Sequence, residues 1–308
     1  MLTRREFGKL ATAGATGYVC AWAVKDRPYS SIVSAAERPN SMINGVQIGT
    51  ITYSYRSMPD QSAEATLRYI VASGISAIEL MNGPAESYAG APTGRDAGRL
   101  KQWRLSVSMD KYKALRKMYN DAGVKIYAWK CLNPNMSDEE FEYVFNVAEA
   151  LGCTHTTVEL TDDLAQLKRI GEFAEKHKIY AAYHTHTQGS MTAFDKAFAA
   201  SKANMANVDF GHYVAGGNVG GGTVQFLQKF HDRIASFHLK DRTTPEHGAK
   251  NLPWGQGDTP LKEILQTVKK NRWTMPATIE LEYDVPAGSD AVKEVVKCLQ
   301  YCKAALNS

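Results

Sequence analysis

From about residue 46 onward, short apolar runs alternate with longer segments whose apolar residues recur every three or four positions. The short runs are Val46–Tyr53, Ala77–Met81, Lys125–Trp129, Thr154–Leu160, Tyr180–His186, Ala206–His212, Ile234–Lys240 and Ala277–Tyr283. They are rich in β-branched and aromatic residues, and their length suits parallel strands buried on both faces. Helical periodicity marks Ala63–Ser73, Met109–Ala122, Asp138–Leu151, Leu164–His177, Val224–Arg233, Leu261–Asn271 and Asp290–Ala305. Several helices end on glycine, at Gly74, Gly123 and Gly152, before an apolar residue opens the next strand. Ser137 with Glu140 three residues on is the pattern of a capping box.

Eight strands with helices between them predict an α/β chain folded as a (β/α)₈ TIM barrel. An open doubly wound sheet is the alternative, but its first strand should lead into a glycine-rich phosphate loop. Here Thr52-Tyr53-Ser54-Tyr55-Arg56 follows instead. Long connections at residues 84–107, Tyr213–Gly222 and Thr243–Thr259 leave the carboxyl ends of strands two, six and seven, where barrels build their sites. The glycine-rich run from Ala215 to Gly222 lacks the Lys-Ser/Thr of a P-loop and reads as a loop.

The amino-terminal segment has a different character. Thr3-Arg4-Arg5-Glu6-Phe7-Gly8-Lys9, then a weakly apolar stretch from Leu10 to Val24, resembles a twin-arginine export signal. Ser34 and Ala36 offer a cleavage site, so residues 1–36 are expected to be signal and linker, and 44–306 a single catalytic barrel. Export to the periplasm and no membrane span in the mature chain follow as expectations, since the apolar stretch is short. The net charge of +4 owes much to the first 30 residues, so the mature chain lacks the basic face of a nucleic-acid binder. Cys131, Cys153, Cys298 and Cys302 form no Cys-x-x-Cys pair and read as structural thiols.

Strands buried on both faces should be apolar throughout, yet strands four to eight carry charged or imidazole groups at their carboxyl ends. These are Glu159, then His184 and His186, then Asp209 and His212, then His238, Lys240 and Asp241, and finally Glu280 and Glu282. One such group would read as a satisfied structural residue. Five consecutive strands imply a shared site, and mixed carboxylate and imidazole donors suit one divalent metal: Mn, Co, Zn, Fe or Mg. Period-two alternation puts Glu280 with Glu282, His184 with His186, and His238 with Lys240 on the same side.

These residues resemble the xylose isomerase-like superfamily of sugar isomerases and epimerases over about residues 44–306. Asp209-Phe210-Gly211-His212 is similar to that family's Asp-x-x-His, Phe237-His238-Leu239-Lys240-Asp241 to its seventh strand, and Thr278-Ile279-Glu280 to its eighth. The resemblance implies a metal held by Glu, Asp, His and Glu, here assigned to Glu159, Asp209, His238 and Glu280, with His184 a close fifth. In epimerases of the family the fifth strand bears a ligand Glu. His184 stands there, in a segment more similar to the inosose dehydratase branch, which shifts weight toward elimination or hydration of keto sugars and 3-keto glycosides.

The chemistry expected is removal of a proton next to a carbonyl, with His184 or Glu282 as base and His186 or Lys240 as acid. His212, Arg242, Trp254 and Lys130 are the expected substrate contacts; Trp254 would stack on a sugar face or simply pack its loop. The partners expected are a small sugar substrate and at most further copies of the same chain. Two rivals remain: a non-catalytic sugar-binding protein, which needs no metal, and a metal-dependent abasic-site nuclease of the same fold, against which the charge and the export pattern weigh.

Overall fold

Eight parallel strands close on themselves: β1 (Val46–Ile51), β2 (Ala77–Met81), β3 (Lys125–Lys130), β4 (His155–Glu159), β5 (Tyr180–His184), β6 (Asn204–Asp209), β7 (Ile234–Leu239) and β8 (Ala277–Ile279). Closure is made by β1, which pairs with β8 through Ile48 and Ala277 and with β2 through Thr50 and Ile78. The computed structural model describes residues 38–308 apart from Arg95 and Gly220, and 38–308 form one unit. The export pattern at Arg4-Arg5 and the residues Ser34 and Ala36 lie outside the described residues.

The outer helices follow the apolar stripes of the sequence. Leu164–His177 buries Leu167, Ile170 and Ala174 against the strands, and Leu261–Asn271 buries Leu261, Ile264, Leu265 and Val268. Ser137 and Glu140 form the capping box, and Gly74, Gly123 and Gly152 end their helices with φ of 73°, 82° and 73°. Cys153, Cys298 and Cys302 are buried free thiols, and Cys131 is a half-buried one. Among the described residues no helix is long and apolar enough to cross a membrane.

Some boundaries differ from the periodicity, for physical reasons. Strand six stops at Asp209, because its Oδ1 accepts the His212 N–H at 2.7 Å and opens a short helix, Phe210–Ala215. Strands one, five and eight also stop short of Tyr53, His186 and Tyr283. The connection read at 84–107 contains two helices, Asn82–Ala89 and Ala97–Arg104; the second buries none of its residues, so it leaves no apolar stripe to detect. Another short helix, Asp195–Ala200, lies between β5 and β6. After β7, Asp241–Arg242 pairs antiparallel with Asn251–Leu252.

The barrel interior is polar rather than filled with branched aliphatics, and it is hydrogen-bonded in pairs. Towards the amino-terminal end, Tyr127 Oη meets Thr278 Oγ1 at 2.7 Å, and His155 Nε2 meets Ser236 Oγ at 2.9 Å. Burial lowers the pKa of His155 from 6.5 to about 4, against the opposing pull of Glu79. A folded pKa below the unfolded value means that the unfolded chain takes up a proton the native state refuses, so stability falls as the pH drops from 6.5 to about 4. The loss from this one group is roughly 3 kcal/mol. Urea unfolding of wild type and His155→Gln across that range is expected to show a shallower acid limb in the variant. Parallel acid limbs would show that His155 is not the group responsible.

Candidate metal centre

The upper end of the barrel is built by residues at or just beyond the carboxyl ends of β5 to β8. His184, Asp209, His238 and Glu280 are all buried, and each offers one ligand atom such that all four lie within 4.8 Å of one another. His238 Nδ1 is 2.9 Å from Glu280 Oε2 and 3.9 Å from Asp209 Oδ2. The rings of His184 and His238 stand 4.6 Å apart.

Lys240, just past β7, carries the counter-charge. Its Nζ lies 3.0 Å from Asp209 Oδ2, 2.7 Å from Glu280 Oε2 and 2.6 Å from Glu282 Oε2. It also touches His212 Nε2 at 3.0 Å, while the Arg242 guanidinium meets Nδ1 of the same ring. On the facing wall, Lys130 Nζ pairs with Glu159 Oε1 at 2.9 Å, and Glu159 Oε2 is 3.8 Å from His186 Nε2. The ring of His186 reaches to 4.8 Å from that of His212, joining the two walls.

These charges perturb one another strongly. Burial alone would lower the pKa of His238, but the carboxylates Glu79 and Glu280 raise it from 6.5 to about 10. Burial would likewise lower Lys240, but Asp209, Glu280 and Glu282 raise it. Glu280, which burial would raise, is held well below the usual carboxylate range by Lys240 and His238. Asp209 moves the other way, raised by its burial against the pull of Lys240. His184 is pushed well below its ordinary value by burial and then by His238. His212 falls to about 3, first through burial and then through Lys240.

The sequence assigned Glu159 to the ligands and kept His184 as a fifth candidate and a base. The structure brings His184 into the four-residue cluster and sets Glu159 at the rim, about half exposed and paired with Lys130. Glu159, His184 and His186 make a second, more open grouping, with His184 common to both. Glu282 and Lys240 stand beside the cluster as a hydrogen-bonded pair. Trp254 packs edge-on against Tyr301 of the last helix, with 5.8 Å between ring centroids. His212, Arg242, Lys130 and His186 line the approach to the cluster.

The sequence reading passed over Glu79. This carboxylate is fully buried in β2 and accepts hydrogen bonds from Thr157 Oγ1 at 2.7 Å, His238 Nε2 at 2.8 Å and Asn207 Nδ2 at 3.1 Å. Burial would raise its pKa, but His238 and these hydrogen bonds bring it down to about 2. A carboxylate in the centre of Ala77-Ile78-Glu79-Leu80-Met81 breaks the apolar rule as plainly as the strand ends do, and that was the available signal.

The donor set fits a divalent cation. Two imidazoles and two carboxylates make a hard-to-borderline site, and Asp209 Oδ2 is buried with no hydrogen-bond partner, only the Lys240 ammonium nearby. Beside the mouth, Asp241 organises the loop after β7. Its Oδ2 accepts the N–H groups of Gly255, Gln256 and Gly257 at 2.7, 3.1 and 2.9 Å, and Oδ1 that of Thr259 at 3.3 Å. A cavity of about 500 Å³ also opens at the opposite end of the barrel, lined by Lys125, Tyr180, His231, Arg272 and Trp273. Among the described residues no comparable set of converging carboxylates and imidazoles lines it, so the candidate site is the carboxyl-end mouth.

Comparison with known proteins agrees with the barrel fold. Residues 67–302 match the model of the family described as xylose isomerase-like TIM barrel. No curated protein matches the sequence. Among solved structures, a sugar phosphate isomerase/epimerase from Parabacteroides distasonis is 17% identical, with a TM-score of 0.63 over 88% of this chain and 98% of its own. The IOLI protein, solved with a zinc atom bound, is 14% identical with a TM-score of 0.62, over 85% and 98% of the two chains. A D-psicose 3-epimerase, solved in the presence of D-fructose, is 14% identical with a TM-score of 0.57, over 85% and 100%.

Close packing under the cluster yields a direct test. A Cβ at Gly211 would lie 2.2 Å from Lys240 Cγ and 2.6 Å from the Lys240 carbonyl oxygen. Gly211→Ala is therefore expected to lose about 1–3 kcal/mol of stability in urea unfolding, because backbone must shift to admit it. Unchanged stability would show that the helix Phe210–Ala215 and the residue after β7 do not approach as described.

Proposed function

The chain belongs to the xylose isomerase-like TIM barrel family, and from that premise we propose that it is a metal-dependent enzyme that removes a proton next to the carbonyl of a sugar or keto sugar. The observation that carries the reading is the convergence of His184, Asp209, His238 and Glu280, from four successive strands, on one point at the barrel mouth. Those four residues would hold a divalent metal, which when bound supplies electrophilic stabilisation of negative charge developing on a substrate oxygen.

The remaining residues divide the work of orientation and proton transfer. Glu282 is the accessible carboxylate beside the cluster, and its hydrogen bond to Lys240 Nζ holds it in place. It takes the proton from the carbon acid, while Lys240 or His186 delivers one to the substrate from the adjoining walls. His212, held neutral by burial and then by the charge of Lys240, lines the site without adding charge to it. Lys130 and Arg242 fix substrate oxygens at the rim.

A second reading has a specific observation behind it. The buried residue at the end of β5 is His184 rather than a carboxylate, so that strand offers an imidazole in place of a second buried acidic base. Protonation of a leaving oxygen by His186 or Lys240 then gives elimination or hydration, with an inosose or a 3-keto glycoside as substrate. The twin-arginine pattern at Arg4-Arg5 supports work outside the cytoplasm in either case.

The experiment pairs metal content with solvent deuterium exchange on keto sugars and 3-keto glycosides. Wild type is expected to hold one divalent ion per chain and to exchange the proton beside the carbonyl. Exchange with recovery of a sugar isomer marks an epimerase or isomerase, and loss of water or aglycone marks a lyase. Asp209→Asn and Glu280→Gln should weaken metal affinity by more than the roughly 10–100-fold that follows loss of an outer partner. A wild-type protein that takes up no divalent ion would leave the sugar-binding alternative standing and end this one.

A further inference from the structure

We propose that Glu79 is a positioning residue that determines which ring nitrogen His184 and His238 each present to a cation. The inference deepens the metal reading of the cluster and rests on it. Its starting point is that an ionised carboxylate only accepts hydrogen bonds. Glu79 receives three, from β4, β6 and β7, and has no exposure to water.

Two consequences follow atom by atom. His238 Nε2, 2.8 Å from Glu79 Oε2, must carry a hydrogen, so Nδ1 is the nitrogen that can give up its proton and offer a lone pair to a cation. That is the nitrogen facing Glu280 and Asp209. Asn207 must turn its amide N–H towards Glu79, which leaves its Oδ1 3.5 Å from His184 Nδ1. His184 Nδ1 therefore donates, and Nε2 is left as the donor atom for a metal. One carboxylate on β2 fixes both rings, the first directly and the second through an amide.

The backbone is irregular beside both residues. The strand pairings contain two register shifts, one between Ile78 and Glu79 and the other between Ala206 and Asn207. The extra residue at each shift is on the neighbouring strand, Tyr127 on β3 and Ala235 on β7, so Glu79 and Asn207, which bond to each other, each stand opposite a bulge. Simple charge balance for His238 would need neither Asn207 nor the Thr157 hydroxyl. Outer partners of this kind orient metal-binding histidines and fix their tautomers.

The test uses the full-length protein with nitrogen-labelled histidine and Zn²⁺ as the probe metal. In Zn²⁺-loaded wild type, correlation spectra are expected to place the hydrogen on Nε2 of His238 and on Nδ1 of His184. Glu79→Gln, whose amide can donate in place of accepting, is expected to disturb both assignments and to weaken Zn²⁺ binding about 10–100-fold in chelator competition. Asn207→Leu should disturb His184 alone. Wild-type tautomers opposite to these, or a Glu79→Gln protein with unchanged tautomers and affinity, would overturn the proposal.

Should Glu79→Gln fail to fold, Thr157→Val removes one of the three donors. It is then expected to speed exchange of the His238 Nε2 hydrogen and lower the affinity; no change in either counts against Glu79. If wild type takes up no Zn²⁺, the metal reading falls by itself. The metal-free protein still tests Glu79 through the His184 tautomer and the protection of the His238 Nε2 hydrogen, which would have to match.

Discussion

A buried imidazole held between two carboxylates is the interaction on which the rest of this structure depends. His238 touches Glu79 through one nitrogen and Glu280 through the other, with no water in reach of its ring. Burying one carboxylate unpaired is prohibitive, and burying several is tolerable only if each is paired and hydrogen-bonded. His238 answers for Glu79 and part of Glu280. Lys240 answers for Asp209, Glu282 and the remainder of Glu280. Removing either cation would strand acidic groups that the barrel cannot hydrate.

The polar interior explains how a short-stranded barrel holds such a cluster in place. Each level rests on the one below: Tyr127 with Thr278 and His155 with Ser236, then Glu79 with Thr157, Asn207 and His238, then the open group at the mouth. Side chains fixed in this way lose little further freedom when they engage a ligand, which is the physical content of preorganisation. The aliphatic core lies instead between strands and helices, in residues such as Ile78, Leu80, Val208 and Leu239.

Much of this was legible in the residues alone. The alternation of strand and helix gave the closed barrel, and the rule against polar groups in buried strands led to His184, Asp209, His238 and Glu280. The same rule overlooked Glu79, because a lone carboxylate in a central position reads as a satisfied structural group until its partners are known. Those partners, Thr157, Asn207 and His238, come from three other strands, and sequence spacing says nothing about which strands face each other across a barrel. The weight given to Glu159 has a similar origin: strand ends could be found, but whether a side chain turns to the axis or to the rim depends on where the strand stops. The helix Ala97–Arg104 escaped notice because it buries no apolar face and is held instead by Arg104 against Glu86 and Glu140.

The Asp241 carboxylate, wrapped by four peptide N–H groups from the loop that follows β7, has a consequence for how this mouth can vary among relatives. The anchor grips main chain, so the side chain at Gln256 is free to diverge while the path of the loop is preserved. Its two neighbours are fixed as glycine, since a Cβ at Gly257 would lie 2.3 Å from Asp241 Oδ1 and Gly255 has a φ of 90°. A fold built in this way can change what it recognises at the rim, residue by residue, without disturbing the charged centre beneath.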